Sequence, residues 1–294
     1  MRGATRAGWD DLTGWDADDH AAAAATWARS PGAEAPQGDA RAFFETGFVP
    51  WVLPAAHFTG YFEPELDGAP RRSDACPVPI HAPPAMGIGA PRAEIEAGDL
   101  LAGHEIAWLR DEVDRFFLQV QGSGRIRFGD GRVLRVTHSA KNGHPYRSIG
   151  RLLIDRGEFD AGTMTADALR DWLRADRERG VALMRENPSY VMFRALHESP
   201  ADQGPPGTLG CPVTEGRSIA VDPEVVPLGT PVWVEIDAPD ALGGPIRRLC
   251  VAQDTGSAIK GIGRADLFFG TGDAAGHAAG RLNHGGRMVV LLPA

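Results

Sequence analysis

Residues 231–236 carry Val232, Val234 and Ile236 at alternate positions, the period of a strand with one side chain in two facing a core. Similar short apolar runs predict strands over 216–221, 249–253 and 287–292, with glycine and proline turns among them. Upstream, FFLQVQ (116–121) is predicted as a strand and 125–128 as a second. Asp130-Gly131 then turns the chain into 133–137, because Asp-Gly tolerates the positive φ of a hairpin turn. Helical spacing appears elsewhere. Residues 18–30 open on an acidic cap, 40–48 follow, 148–156 stop at Gly157, and 165–179 place Leu169, Trp172 and Leu173 on one face. Short strands from Thr59 onward, returning after His197 with Gly/Pro turns, predict a small barrel, and the proline-rich 69–91 a long surface excursion.

The chain has 294 residues, beyond the usual single domain, so two packed modules or one interrupted one are expected. A 43% hydrophobic, 23% charged composition with 37 Gly and 23 Pro describes a globular protein rich in turns. A net charge of -9, with no basic run to offset it, excludes a nucleic-acid surface. No apolar run approaches the roughly 20 residues of a membrane-spanning helix. The first residues lack the apolar core of a signal peptide, so either a cytosolic protein or one whose export segment lies outside this chain is expected. Cys76, Cys211 and Cys250 are far apart. They form no Cys-x-x-Cys pair, and three ordinary thiols are favoured over one disulfide.

The densest candidate chemistry is AQDTGSAIKGIGRADLFFG (252–270), which holds Asp254, Lys260 and Asp266 among glycines. An aspartate followed by Leu267, Phe268 and Phe269 is placed to be poorly solvated, which raises a carboxyl pKa as a general acid needs. Against this, a glycine-flanked aspartate is more often a turn residue bonding its own backbone, and Asp222 in an Asp-Pro step is a still more ordinary turn opener. In QVQGSGRI, alternation puts Gln119 and Gln121 on one strand face, a surface suited to hydroxyl-rich ligands, though a plain hairpin explains it equally. KNGHPYRS (141–148) reads with even weight as an anion-binding loop or a solvated approach to a helix. His277 and His284 have no ligand spacing, so neither a metal nor another cofactor is expected.

Taken together, FTGYFEPEL (58–66), PRAEIEAG (91–98), FFLQVQGSGRIRFGDG (116–131), KNGHPYRSIGRLLIDRGE (141–158), NPSYVMF (187–193), GRSIAVDPEVVPLGT (216–230) and the 252–270 stretch resemble the membrane-bound lytic murein transglycosylase A family, glycoside hydrolase family 102. The resemblance runs in order from about Phe58 to Leu292. It implies a mainly β, α+β fold: a double-ψ β-barrel built from residues 1–63 and 199–294, with a second β-rich domain, 64–198, inserted between them and substrate in the cleft. The C-terminal part looks like the three-aspartate domain, whose aspartates fall on Asp222, Asp254 and Asp266. In the family's Gly-x-x-(x)-Asp-(Leu/Ile)-(Phe/Tyr) pattern the catalytic acid is the position of Asp266.

The expected activity is cleavage of the β-1,4 bond between N-acetylmuramic acid and N-acetylglucosamine, with Asp266 as acid and then base and a 1,6-anhydro product. Asp254 is expected to stabilise charge or orient the acid, and Gln121, Thr59, Lys260 and Asp222 to contact substrate. The expected partners are peptidoglycan strands, with cell-wall synthesis or remodelling proteins as further candidates, and the expected location is the periplasm in association with the outer membrane. Two alternatives stay open. One is a two-carboxylate hydrolase with Asp254 as base, and the other a glycan-binding module without turnover.

Overall fold

The computed structural model describes residues 3–160, 162–197, 200 and 202–294. The chain divides into two compact units, one formed by Met1–Phe62 with Ala201–Ala294 and the other by Glu63–Pro200. In the first unit six strands close into a barrel: β1 (His57–Glu63), β2 (Ser218–Val221), β3 (Pro231–Ile236), β4 (Ile246–Asp254), β5 (Arg264–Thr271) and β6 (Asn283–Pro293). The order around the barrel is β6-β3-β4-β2-β5-β1, and β1 returns to pair with β6. The described pairs are antiparallel at β3/β4, β3/β6, β2/β5 and β1/β6, and parallel at β2/β4. The expected barrel and second sheet are therefore present.

Alternation explains which side of each strand faces where. Phe58, Ile219, Val221, Val232, Val234, Ile236, Cys250, Ala252, Ala265, Leu267, Met288 and Val290, drawn from all six strands, form one apolar cluster that fills the barrel. Trp233, Leu249, Val289 and Leu291 point the other way, into a second cluster with Trp15, Ala23, Ala24 and Phe44. Two helices, His20–Trp27 and Ala40–Gly47, supply this outer cover and are capped by Asp19 and Asp39 through their first backbone N–H groups. A strand such as β3 is consequently buried along its whole length.

Glu63–Pro200 forms a six-stranded sheet with helices. Its strands are Glu65–Ala69, Val78–His81, Glu105–Leu109, Ser123–Phe128, Val133–Lys141 and Val191–Leu196. Buried Glu63 accepts from Arg125 Nε at 2.8 Å and Arg135 Nη2 at 3.0 Å, tying the first residue of this unit to two neighbouring strands. Here two expectations fail. FFLQVQ is not a strand but the second half of the helix Glu112–Gln121, capped by the Asp111 carboxylate on Asp114 N (2.7 Å) and ended by Gly122 at φ +80°. Its buried Val113, Phe116 and Gln119 follow a three-residue spacing. The predicted helix 165–179 is also two helices, Ala166–Ala175 and Arg177–Arg185, because Asp176 ends the first and caps the second.

Candidate active site

Three candidate residues of the first unit, Thr59, Asp254 and Asp266, gather on the outer face of the barrel wall. Ile219 and Val221 of β2 point into the barrel, so Ala220 between them points out. Ala220 pairs with Asp266 of β5 on one side and with Asp254 of β4 on the other. A register shift makes this symmetric arrangement. Ile219 pairs with Ala252 but Ala220 with Asp254, leaving Gln253 as an extra, bulged residue. Plain alternation would put Asp254 on the same side as inward-facing Ala252. The bulge instead turns Asp254 outward, beside Ala220.

Gln253 is fully buried and held from several sides: Ser218 Oγ donates to its Oε1 (2.6 Å), and its Nε2 donates to Thr26 O (2.9 Å) and Ser30 Oγ (3.1 Å). The backbone of Leu209 donates to the Gln253 carbonyl at 3.0 Å. The bulge is therefore a fixed feature of the wall.

From β1, Thr59 and Tyr61 lie on one side of the strand. Gly60 faces the other way, where a Cβ would meet Ala279 Cα of the helix Asp273–Arg281 at 2.7 Å. Thr59 Oγ1 donates to Asp266 Oδ1 at 2.6 Å, and Arg264 Nη2 donates to Thr59 Oγ1 at 2.7 Å. Among the described residues Thr59 is the one side chain that hydrogen-bonds Asp266. The Asp266 carboxyl is half-buried. Loss of solvation pushes its pKa up to about 6, against the lowering effects of the Thr59 hydrogen bond and the Arg264 charge and with a small addition from Asp254.

Asp254 is held differently. Its Oδ1 accepts from Thr208 N (2.9 Å), Thr208 Oγ1 (2.9 Å) and Thr255 N (2.8 Å), and its Oδ2 from Tyr61 Oη (3.1 Å). Burial raises its pKa while these donors oppose the rise. Tyr61 is itself pushed well above the usual phenol value by burial and by the two carboxylates, so it stays a donor. Its ring packs on Phe268 with centroids 5.2 Å apart. Burial raises both carboxyls, but one keeps a free oxygen and the other is saturated with donors.

Two family models match the chain, the MltA specific insert domain over residues 87–194 and the 3D domain over 217–292. The membrane-bound lytic murein transglycosylase A of Escherichia coli K12 is 38% identical over 270 residues, covering 87% of this chain and 73% of the relative. The chain belongs to the lytic murein transglycosylase A family. The transglycosylase A of Vibrio cholerae is 35% identical, covering 79% of this chain and 64% of the relative. Among solved structures, the membrane-bound lytic murein transglycosylase of Agrobacterium tumefaciens superposes with a TM-score of 0.88 at 32% identity, covering 99% of this chain and 97% of that one. E. coli MltA with bound chitohexaose superposes at 0.78 and 35% identity, covering 87% and 79%.

Within this transglycosylase A chain the six residues singled out from sequence fall in three places. Asp266, Asp254 and Thr59 come together as described. Asp222 and Lys260 form a second group, where buried Asp222 accepts from Gly261 N (2.8 Å), Glu224 N (3.3 Å) and Lys260 Nζ (3.4 Å). These bonds lower the Asp222 pKa and tie the loop after β4 to the end of β2. Gln121 belongs to the other unit, as the last residue of a helix rather than on the strand face expected for it. Gln119 does not share an exposed face with it, for its side chain is buried and donates to Val191 O at 2.8 Å.

Of KNGHPYRS only Asn142 turns inward, the other residues being half-buried or exposed. Asn142 is buried, donating to Ala90 O and Pro188 O at 2.8 Å and accepting from Tyr190 N at 2.9 Å. The three cysteines are buried free thiols. Among the described residues no three His, Cys, Asp or Glu side chains group as metal ligands. Arg264, Tyr61 and Thr208 were not anticipated. Period-two spacing carries a signal for two of them, since Tyr61 stands two residues from Thr59 and Arg264 two from Asp266.

Proposed function

We propose that this chain is a peptidoglycan lytic transglycosylase in which Asp266 serves as acid and then as base. Protonated Asp266 gives its proton to the glycosidic oxygen between N-acetylmuramic acid and N-acetylglucosamine as the C1–O bond breaks. The carboxylate then takes the proton of the muramic C6 hydroxyl as that oxygen closes on C1. The product is a 1,6-anhydro ring, no water is consumed, and Asp266 returns protonated. The observation that carries this reading is the half-buried Asp266 carboxyl, raised to about 6, which keeps one oxygen outside any hydrogen bond among the described residues.

A two-carboxylate hydrolase needs a second carboxylate free to activate water. Asp254, with four donors on its oxygens, is poorly suited to that and well suited to presenting fixed negative charge. Relatives named lytic murein transglycosylase, one solved with bound chitohexaose, support the glycan substrate. In this reading exposed Lys260 touches the glycan, Thr59 and Asp222 act one step behind it, and half-buried Gln121 is a further subsite contact that the likeness to the family suggests. Names of the relatives also support a cell-envelope location, and no helix among the described residues is long and apolar enough to cross a membrane.

Digestion of purified sacculi in ¹⁸O-water tests the proposal. Anhydro-muramic ends without label are expected, and Asp266→Asn should bind glycan while turnover falls by roughly 10² to 10⁴ or more. Labelled reducing ends would assign a hydrolase, and unimpaired cleavage by Asp266→Asn would move the acid elsewhere.

A further inference from the structure

We propose that Arg264 is a positioning residue which fixes the direction of the Thr59 hydroxyl and thereby confines the exchangeable proton of Asp266 to a single oxygen, Oδ2. The proposal rests on Asp266 being the acid and base.

A threonine hydroxyl has one hydrogen and can point it at any acceptor within reach. The Arg264 guanidinium has donors only, so its contact with Thr59 Oγ1 at 2.7 Å obliges Thr59 to accept there and to aim its own hydrogen elsewhere. At 2.6 Å the available acceptor is Asp266 Oδ1. The order of donation is therefore Arg264 to Thr59 to Asp266, and it cannot reverse. Oδ1 accepts in both protonation states of Asp266, so the titrating proton has only Oδ2 to occupy.

A single group that first protonates the leaving oxygen and then deprotonates an attacking hydroxyl works best when donor and acceptor are the same atom. The relay supplies that condition. The guanidinium is held in turn by donating through Nη1 to Ala265 O at 2.6 Å, and Arg264 and Asp266 leave β5 on one side, two residues apart. The titratable or charged groups around the Asp266 carboxyl are Arg264 of its own strand, Asp254 of β4 and Tyr61 of β1, while Thr59 of β1 supplies the hydrogen bond.

Arg264→Met keeps the aliphatic stem and removes both donor and charge. Its alkaline limb of kcat against pH should move up by about half to one pH unit, because a directed hydrogen bond and a nearby cation no longer favour the carboxylate. Turnover should fall several-fold with KM for soluble glycan within twofold. Thr59→Val should move the limb in the same direction, Thr59→Ser should leave it in place, and Thr59→Val added to Arg264→Met should move it little further, since the arginine variant has already lost the directed hydrogen bond. If Arg264→Met does not fold, Arg264→Gln carries the test: its amide can accept as well as donate, so the hydroxyl is released and the limb should again rise. An unmoved limb in the folded arginine variants, or full additivity with Thr59→Val, overturns the relay. Failure of the underlying reading is distinguished by Asp266→Asn, whose full activity would remove Asp266 itself, whereas an inactive Asp266→Asn beside an unmoved limb removes only the relay.

Discussion

Tyr61 donates its phenolic hydrogen to Asp254 across 3.1 Å from the same side of β1 that sends the Thr59 hydroxyl to Asp266. One strand, laid down before the inserted unit, thus supplies a donor to each carboxylate, and the two carboxylates are treated unequally.

The first prediction follows from that contact. Tyr61→Phe retains the ring on Phe268 and deletes the donor, leaving Asp254 with Thr208 and Thr255. A hydrogen bond to a charged acceptor contributes about 1.5–3 kcal/mol, so urea unfolding should show a loss of that order. A loss below a few tenths of a kcal/mol would show that the phenol contributes nothing to holding Asp254.

Asp266 should make the protein less stable as pH rises. Its pKa is about 6 when folded against the ordinary 3.8, so the folded state binds the proton more tightly than the unfolded chain. Stability from this group is present at low pH, declines between about 4 and 6, and is flat above. At ~1.36 kcal/mol per pH unit, the effect is up to about 3 kcal/mol. Asp266→Asn, which cannot ionise, should therefore unfold at a higher temperature than the parent at pH 8, with the gap closing toward pH 4. Calorimetry at those two values checks it, and a gap that does not depend on pH contradicts it.

Gly60→Ala tests how closely β1 must approach the helix behind it. The new Cβ would lie 2.7 Å from both Ala279 Cα and Phe269 Cε2, one of them backbone. Overpacking of this kind destabilises by about 1–3 kcal/mol. Because the strand must shift away from the helix, turnover should fall as well, although no reacting group is altered. Denaturation midpoints and kcat measured together would show either both changes or a strand more compliant than described.

Gln253→Leu removes an amide that joins Ser218, Thr26 and Ser30 inside the protein. Leaving several buried partners unpaired should destabilise by on the order of 3 kcal/mol or more. Protein that still folds should cleave glycan slowly, because the bulge no longer holds Asp254 outward. Normal turnover at reduced stability would separate the bulge from catalysis.

The same bulge shows where local pattern stops being informative. Val232, Val234 and Ile236 announce their strand because both neighbours of β3 are regular and its alternation is unbroken. In β4 the apolar run reads as a strand too, yet the side on which Asp254 emerges depends on one unpaired residue and its bonds to distant Ser218 and Thr26. FFLQVQ misleads for the opposite reason. Six residues of alternating character suit either period, and the deciding information, the Asp111 cap and buried Val113, lies just upstream of them. Thr59 and Asp266 are 207 residues apart in the chain, and no spacing rule links them. What brought those positions together in the sequence was likeness to a family, whereas Arg264 and Tyr61 had to be found in space.

Barrel closure has a further consequence for the chain as it is made. Strand β1 finds its barrel neighbours in β5 and β6, more than 200 residues later, after the entire Glu63–Pro200 unit. During synthesis β1 emerges without these partners, and contacts of such long range form late. Asp266 and Thr59 can meet only once β5 has been translated, and the barrel that holds them closes only with β6. A nascent chain that ends before β5 therefore cannot assemble the proposed acid with its donor, and one that ends before β6 leaves the barrel open.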